Sequence, residues 1–223
     1  SKRKLAGRIL DVIIEQNPNA TVFYDLFGGG GAVSFEALTR PQFKKVVYNE
    51  LNTGVVKLLE KIKLDGVTPE FYKWIDKETF NSHKMDEDWF GGLVKTCWSF
   101  GNNQKDYLFG KENEFLKKQL HNAIVDLDIN ALTKTSNYLG IDIPESLLKF
   151  STINDRRLAV MSHIKKNKGH FELKQLENLQ RLQQLERLER LEQFERLQQL
   201  EIINKSYEDV EIEEGISDVV IYL

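Results

Sequence analysis

At 223 residues and 41% hydrophobic content, the chain is long enough to bury a true core as one large domain or two small ones. Charged residues make up 29%, the net charge is −3 and the pI is near 5.9, so any nucleic-acid-binding surface must come from a local cluster rather than from overall basicity. The single cysteine, Cys97, excludes an intramolecular disulfide and a thiolate metal cluster; no apolar run reaches the roughly eighteen residues of a membrane span, and no signal-peptide pattern opens the chain, so a soluble cytoplasmic protein is expected.

The first element is a helix carrying Leu5, Ile9, Val12 and Ile13 at helical spacing and ended by Asn17-Pro18-Asn19. A buried strand follows, read from Val22, Phe23, Leu26 and Phe27, and it runs directly into Gly28-Gly29-Gly30-Gly31. A glycine run alone is either a flexible turn or a place where backbone must approach a ligand without a Cβ in the way. The context favours the second reading, because a helix starts near Ala32, with Phe35 and Leu38 expected to face inward, and its first turn offers unbonded N–H groups to the same spot. A second strand, Lys45-Val46-Val47-Tyr48, ends at Asn49-Glu50-Leu51-Asn52, placing Glu50 where a nucleoside presents its ribose diol. No Lys or Arg lies between Asp25 and Thr39, and Asp25 itself would repel phosphate. A nucleoside without a pyrophosphate fits these residues, and S-adenosylmethionine meets that description. Val55, Val56, Leu58, Leu59 and Ile62 then predict an amphipathic helix over 53–64, giving the helix–strand alternation of a doubly wound α/β sheet with its ligand at the carboxyl edge.

Asp65-Gly66-Val67-Thr68-Pro69 breaks the alternation, and residues 65–199 read as a mostly helical insertion. Within it, the segment 96–110 sets Asn102, Asn103 and Gln104 among Trp98, Phe100, Tyr107 and Phe109; amides can bond adenine bidentately and aromatics can stack on an extruded base, while the plain alternative is an Asn-rich turn between helices. Arg156, Arg157, Lys165, Lys166 and Lys168 concentrate positive charge, either as phosphate contacts or as a solvated helix end. His83, His121, His163 and His170 show no metal-ligand spacing, so no metal site is expected. From Leu173 to Leu200 an apolar residue falls at every third position, almost all Leu, with Phe at 194. Steps of three alone wind the stripe around an α-helix and give no fixed seam, which leaves a helical spacer, a self-association element or a tolerated low-complexity helix. Leu200 to Ile203 and Val219 to Leu223 return to strand character, so residues 1–64 and 200–223 form the expected sheet domain.

Four segments occur in a telling order: Ser1-Lys2-Arg3-Lys4-Leu5, Asp25 through Val33, Asn49-Glu50-Leu51-Asn52, and Lys205-Ser206-Tyr207-Glu208-Asp209-Val210. Together they resemble the Dam-like DNA adenine-N6 methyltransferases. The resemblance implies a Rossmann-like α/β fold with S-adenosylmethionine as cofactor and double-stranded DNA as partner, in a bacterial or phage-infected cell. It assigns Lys2 to holding the cofactor, Asp25 and the backbone of Phe27, Gly28, Gly29, Gly30, Gly31, Ala32 and Val33 to its methionine part, Glu50 with Leu51 to the ribose, and Ser206 with Tyr207 to the adenine. It makes Phe100, Asn102, Asn103 and Lys105 expected DNA contacts, to which the concentration of positive charge adds Arg156, Arg157, Lys165 and Lys166. The strand Asp218-Val219-Val220-Ile221-Tyr222-Leu223 looks like the one leading into that family's catalytic Asp-Pro-Pro-Tyr, which is found nowhere in the sequence. The expectation is an amino-terminal portion of a site-specific DNA adenine-N6 methyltransferase that does not itself transfer methyl groups; a non-catalytic cofactor- or DNA-binding remnant and an oligomeric scaffold built on residues 173–200 are the rivals.

Overall fold

A computed structural model of the chain describes residues 2–167, 182, 184–187, 198–212 and 218–223, with the side chains of Lys2, Arg3, Asn102 and Glu112 outside that set. It divides into two compact units, one of Ser1–Val67, Ser82–Thr96 and Leu191–Leu223, the other of Thr68–Asn81 and Cys97–Arg190. The break at Asp65-Gly66 thus falls near the division, but residues 82–96 group with the sheet and not with the insertion.

The first unit is built on a parallel sheet of β1 (Val22–Asp25), β2 (Lys45–Asn49), β3 (Leu200–Ile203) and β4 (Val219–Tyr222), in the spatial order β3-β2-β1-β4. The α/β class expected from the alternation holds. Helices α1 (Ala6–Gln16), α2 (Ala32–Ala37) and α3 (Thr53–Asp65) connect the early strands, joined by most of α5 (Trp89–Cys97). The chain steps outward from β1 to β2 to β3 and then returns to the other side of β1 with β4, so a topological switch lies at the carboxyl ends of β1 and β4. Buried strands of a parallel sheet are apolar on both faces. One face here packs Val22, Tyr24, Leu26 and Val47 against Ile203, Val210, Ile212 and Val219. On the other, Phe23 meets the Phe43 ring at 5.2 Å and Tyr48 stacks on Phe35 at 6.5 Å.

Three sequence expectations shift. In α1 the buried residues are Ala6 and Leu10, Ile9 and Ile13 are half-buried, and Val12, like Leu5 just before the helix, is exposed. In α2, Val33, Ser34 and Ala37 are the buried residues and Phe35 and Leu38 are only half-buried. Strand β1 stops at Asp25, and Phe27, read from sequence as a buried strand residue, is 51% exposed. In contrast α3 buries all five of its expected residues, with Asn52 capping it by accepting from Val55 N.

The second unit is helical: α6 (Lys111–Val125), α7 (Ile129–Leu139), α8 (Ile153–Asn167) and most of α4 (Lys77–His83). Its aromatic centre stacks Trp74 on Phe109 at 5.5 Å, with Trp98 and His121 edge-on to Trp74 at 5.1 and 5.3 Å. Of the leucine repeat, residues 182, 184–187 and 198–200 are described; Leu182 and Leu185 are buried within this chain, Leu200 opens β3, and the remaining repeat positions lie outside the described residues.

Burial holds the His121 imidazole down at about 4, although Nε2 donates to Tyr72 O at 2.7 Å. An unfolded histidine titrates near 6.5, so the unfolded chain takes up the proton first; stability is full above about pH 6.5 and is lost as pH falls toward 4. Between pH 7.5 and 5 the parent should lose about 2 kcal/mol more than His121→Gln, which stays neutral at both pH values. Urea unfolding followed by tryptophan fluorescence measures this, and equal losses in the two proteins contradict it.

Candidate functional site

The carboxyl edge of the sheet is assembled from three connections. After β1, Leu26 N donates to Tyr222 O at 3.1 Å, Gly28 N to Asn49 O at 2.8 Å and Gly31 N to Gly28 O at 2.8 Å, which fold the glycine run into a tight turn ahead of α2. A Cβ at Gly28 would stand 2.1 Å from the Tyr48 ring, so only glycine lets the turn lie on β2. Gly29 and Gly31 take positive φ of 50° and 70°, whereas Gly30 faces open space. Tyr48 fixes the turn from below by donating its phenol to Gly29 O at 2.6 Å. Burial, and then the carboxylates of Glu50 and Asp25, hold that phenol well above its ordinary range, so it remains a donor.

Asn49 ends β2 and is 2% exposed. Its Nδ2 donates to Leu26 O and to Lys205 O, both at 3.1 Å, and its Oδ1 accepts from Lys205 N at 3.1 Å. The next residue, Glu50, accepts from Gly29 N through Oε2 and from Asn52 N through Oε1, each at 2.8 Å. Its carboxylate is therefore aimed at the glycine turn by two backbone donors. Asn204 completes the edge by donating to Glu50 O at 2.7 Å and Leu51 O at 3.1 Å, and Lys95 Nζ reaches Asn52 Oδ1 at 3.2 Å.

The residues expected at a cofactor site mostly converge here. Phe27 and Tyr207, from the first and third connections, bring their rings to 5.3 Å with both about half exposed. Leu51 is exposed, Ala32 and Ser206 are half-buried, and Val33 is buried. Asp25 lies deeper than expected: it is 2% exposed and accepts from Ser34 Oγ at 2.6 Å, which anchors the first turn of α2. The Lys2 side chain lies outside the described residues. Sequence reading missed Tyr48, Asn49 and Asn204. A polar residue directly after a buried apolar strand was the signal for Asn49; nothing local marked the other two.

In the helical unit, residues 98–108 form a hairpin-like loop, with Ser99 bridged to Tyr107, Phe100 N donating to Asp106 O and Leu108 N donating to Trp98 O, both at 2.8 Å. Phe100 is 63% exposed on it, and Lys105 is exposed. Asn103 instead builds the turn, its Oδ1 accepting from Lys105 N and Asp106 N and its Nδ2 donating to Asp106 Oδ2, as the plain reading of an Asn-rich turn expects. The Asn102 side chain lies outside the described residues. Arg156 and Arg157 depart from the expected phosphate patch. Both are 8% exposed; Arg156 donates to the carbonyls of Ile124, Phe150 and Ser151, and Arg157 to Asn154 and Glu186. Arginines of an amphipathic pattern bury where helix ends leave carbonyls to satisfy. Lys165 and Lys166, at the end of α8, are exposed.

The two glycines at the centre of the turn predict opposite outcomes. Gly28→Ala forces a Cβ into the Tyr48 ring and should destabilise the protein by about 1–3 kcal/mol, whereas Gly30→Ala should stay within about 0.5 kcal/mol. Denaturant midpoints of the two variants check the contrast, and equal stability contradicts the packing of the turn on Tyr48.

The family model of the D12 class N6 adenine-specific DNA methyltransferases matches residues 1–223. No curated protein and no solved structure gives a significant match. That match over residues 1–223 establishes that the chain belongs to the D12 class N6 adenine-specific DNA methyltransferase family.

Proposed function

We propose that the first unit binds S-adenosylmethionine at the carboxyl edge of β1 and β2, and that the helical unit contacts the DNA whose adenine N6 the family methylates. The observation that carries the cofactor reading is the Glu50 carboxylate, held by Gly29 N and Asn52 N beside a turn whose Gly30 faces open space. The residues fit the group. Glu50 keeps lone pairs for the ribose hydroxyls, Gly29 and Gly30 allow close approach to the methionine part, and the half-exposed rings of Phe27 and Tyr207 offer apolar surface to the adenine. Leu51 and Ser206 flank those positions, and Asp25 acts beneath them through Ser34. When bound, S-adenosylmethionine supplies a methyl group on a sulfonium, activated for direct displacement.

Titration calorimetry with S-adenosylmethionine tests the cofactor side. Glu50→Ala removes acceptors worth about 1.5–3 kcal/mol per charged hydrogen bond and should weaken binding by roughly tenfold to a hundredfold. Gly30→Val should also weaken it. Binding as tight as the parent's in both variants places the site elsewhere.

On the DNA side, Lys165 and Lys166 are the exposed cations among the described residues of the basic stretch, and Phe100, Asn102 and Lys105 belong to the loop 98–108. Changing both lysines to Ala should lower affinity for every duplex and reduce the slope of log affinity against log salt by about one per lost phosphate contact. An unchanged slope removes them from the interface. Adenine N6 is a poor nucleophile, because its lone pair is delocalised into the ring, and it needs acceptors on its amino protons as the methyl approaches. The family's Asp-Pro-Pro-Tyr would supply them, and the 223 residues contain no copy. The polypeptide of these residues is therefore expected to bind without transferring tritiated methyl groups to unmethylated DNA; incorporation above a heat-killed control contradicts this and locates the acceptors among the residues present.

A further inference from the structure

The leucine repeat has no place in the chemistry above, yet its described part makes contacts that bear on one functional element. Residues 184–187 form a helical turn in which Gln184 and Leu185 are 0% and 1% exposed, and Leu182 just before it is 0% exposed. Arg187 then donates through Nη1 to Cys97 O at 2.9 Å and to Ser99 O at 2.8 Å. Neighbouring Glu186 accepts from Arg157 Nη1 at 3.2 Å, which ties the turn to α8.

The two carbonyls are significant because of where they point. In the hairpin-like loop, Trp98 O and Phe100 N face the returning strand and bond Leu108 N and Asp106 O. Ser99 O therefore points away from that strand, and Cys97 O, on the last residue of α5, is one of the carbonyls that a helix C-terminus leaves without an intrahelical partner. Cys97 and Ser99 are both fully buried, and a buried carbonyl needs a partner. Arg187 Nη1 donates to both, joining the end of α5 to the outward carbonyl of the loop. We propose that Leu182 and residues 184–187 are a strap that sets the conformation of the loop 98–108, with Arg187 as the positioning residue. Its functional meaning rests on the reading that this loop contacts DNA bases.

A sequence of near-identical triplets invites slippage, and Gln184 explains the register. The residue three positions earlier is Arg181 and three positions later is Arg187. A slip by one triplet in either direction carries an arginine into the fully buried site of Gln184, whose amide atoms have no partner among the described residues. A neutral amide is tolerated there at far less expense than an unpaired guanidinium. The register is marked locally: of the equivalent positions 181, 184, 187 and 190, only Gln184 is uncharged.

Hydrogen exchange on the full chain tests the strap without DNA. In Arg187→Ala, protection of the Phe100 and Leu108 amides should fall by about tenfold, the effect of losing one such hydrogen bond, while Gly28 and Leu26 in the sheet unit stay unchanged. Arg187→Gln, which keeps a donor for one carbonyl, should lose less, and it carries the test if the alanine variant does not fold. Unchanged protection in the variants overturns the strap. A second arm selects bound sequences from a pool of randomised adenine-containing duplexes. Arg187→Ala should flatten the sequence preference of the parent, as Phe100→Ala should, with the salt slope unaltered because Arg187 touches no phosphate. If protection falls but Phe100→Ala leaves the preference intact, the loop's reading role fails and the strap stands. If Phe100→Ala flattens the preference and Arg187→Ala does not, the strap does not govern recognition and the proposal is wrong.

Discussion

The amide of Asn49 is the constraint on which the carboxyl edge depends. It is buried at the end of β2 and uses its two donors and its acceptor on Leu26 and Lys205, the latter 156 residues away. One side chain thereby closes the connections after β1 and β3 onto the connection it starts. The Leu26 carbonyl is buried there and would otherwise be desolvated without a partner, at roughly 1–3 kcal/mol, while the two bonds to Lys205 are partly buried and tie the third segment to the same side chain.

From that staple the rest of the site follows. With Leu26 fixed, the chain enters the glycine turn at a height where Gly28 lies on the Tyr48 ring and Gly29 receives the Tyr48 hydroxyl. With Lys205 fixed, Tyr207 arrives beside Phe27. Glu50 is the residue after the staple, and its carboxylate has little choice but to meet the Gly29 amide. A parallel sheet makes such convergence natural, since all of its carboxyl ends open on the same side. The switch between β1 and β4 then leaves that side uncovered by a crossover.

Much of this was readable from the residues alone where the signal is local. The four strands and α3 announce themselves as continuous apolar runs or a helical stripe, and the glycines with Glu50 give the edge its chemistry before any coordinates exist. What was not readable depends on partners distant in sequence. Arg156 and Arg157 look like a phosphate patch because a charge run says nothing about which acceptors lie nearby; the carbonyls of Ile124, Phe150 and Ser151 take up Arg156, and the side chains of Asn154 and Glu186 take up Arg157. Phe27 looks like strand because hydrophobicity cannot tell a buried ring from one exposed beside Tyr207. The role of Tyr48 required the register that sets it opposite Asp25, and the triplet repeat showed a period but not what Leu182 and residues 184–187 rest on.

The central claim is that a buried amide holds together the carboxyl edge at which cofactor binding is proposed. Asn49→Leu keeps the size and shape of the side chain while deleting its hydrogen bonds, and its S-adenosylmethionine dissociation constant, measured by calorimetry with the helix and sheet content checked by circular dichroism, is the direct test. Loss of two or more buried hydrogen bonds predicts binding weaker by on the order of a hundredfold in a protein that retains its secondary structure. A folded Asn49→Leu protein that binds S-adenosylmethionine as tightly as the parent would contradict the account.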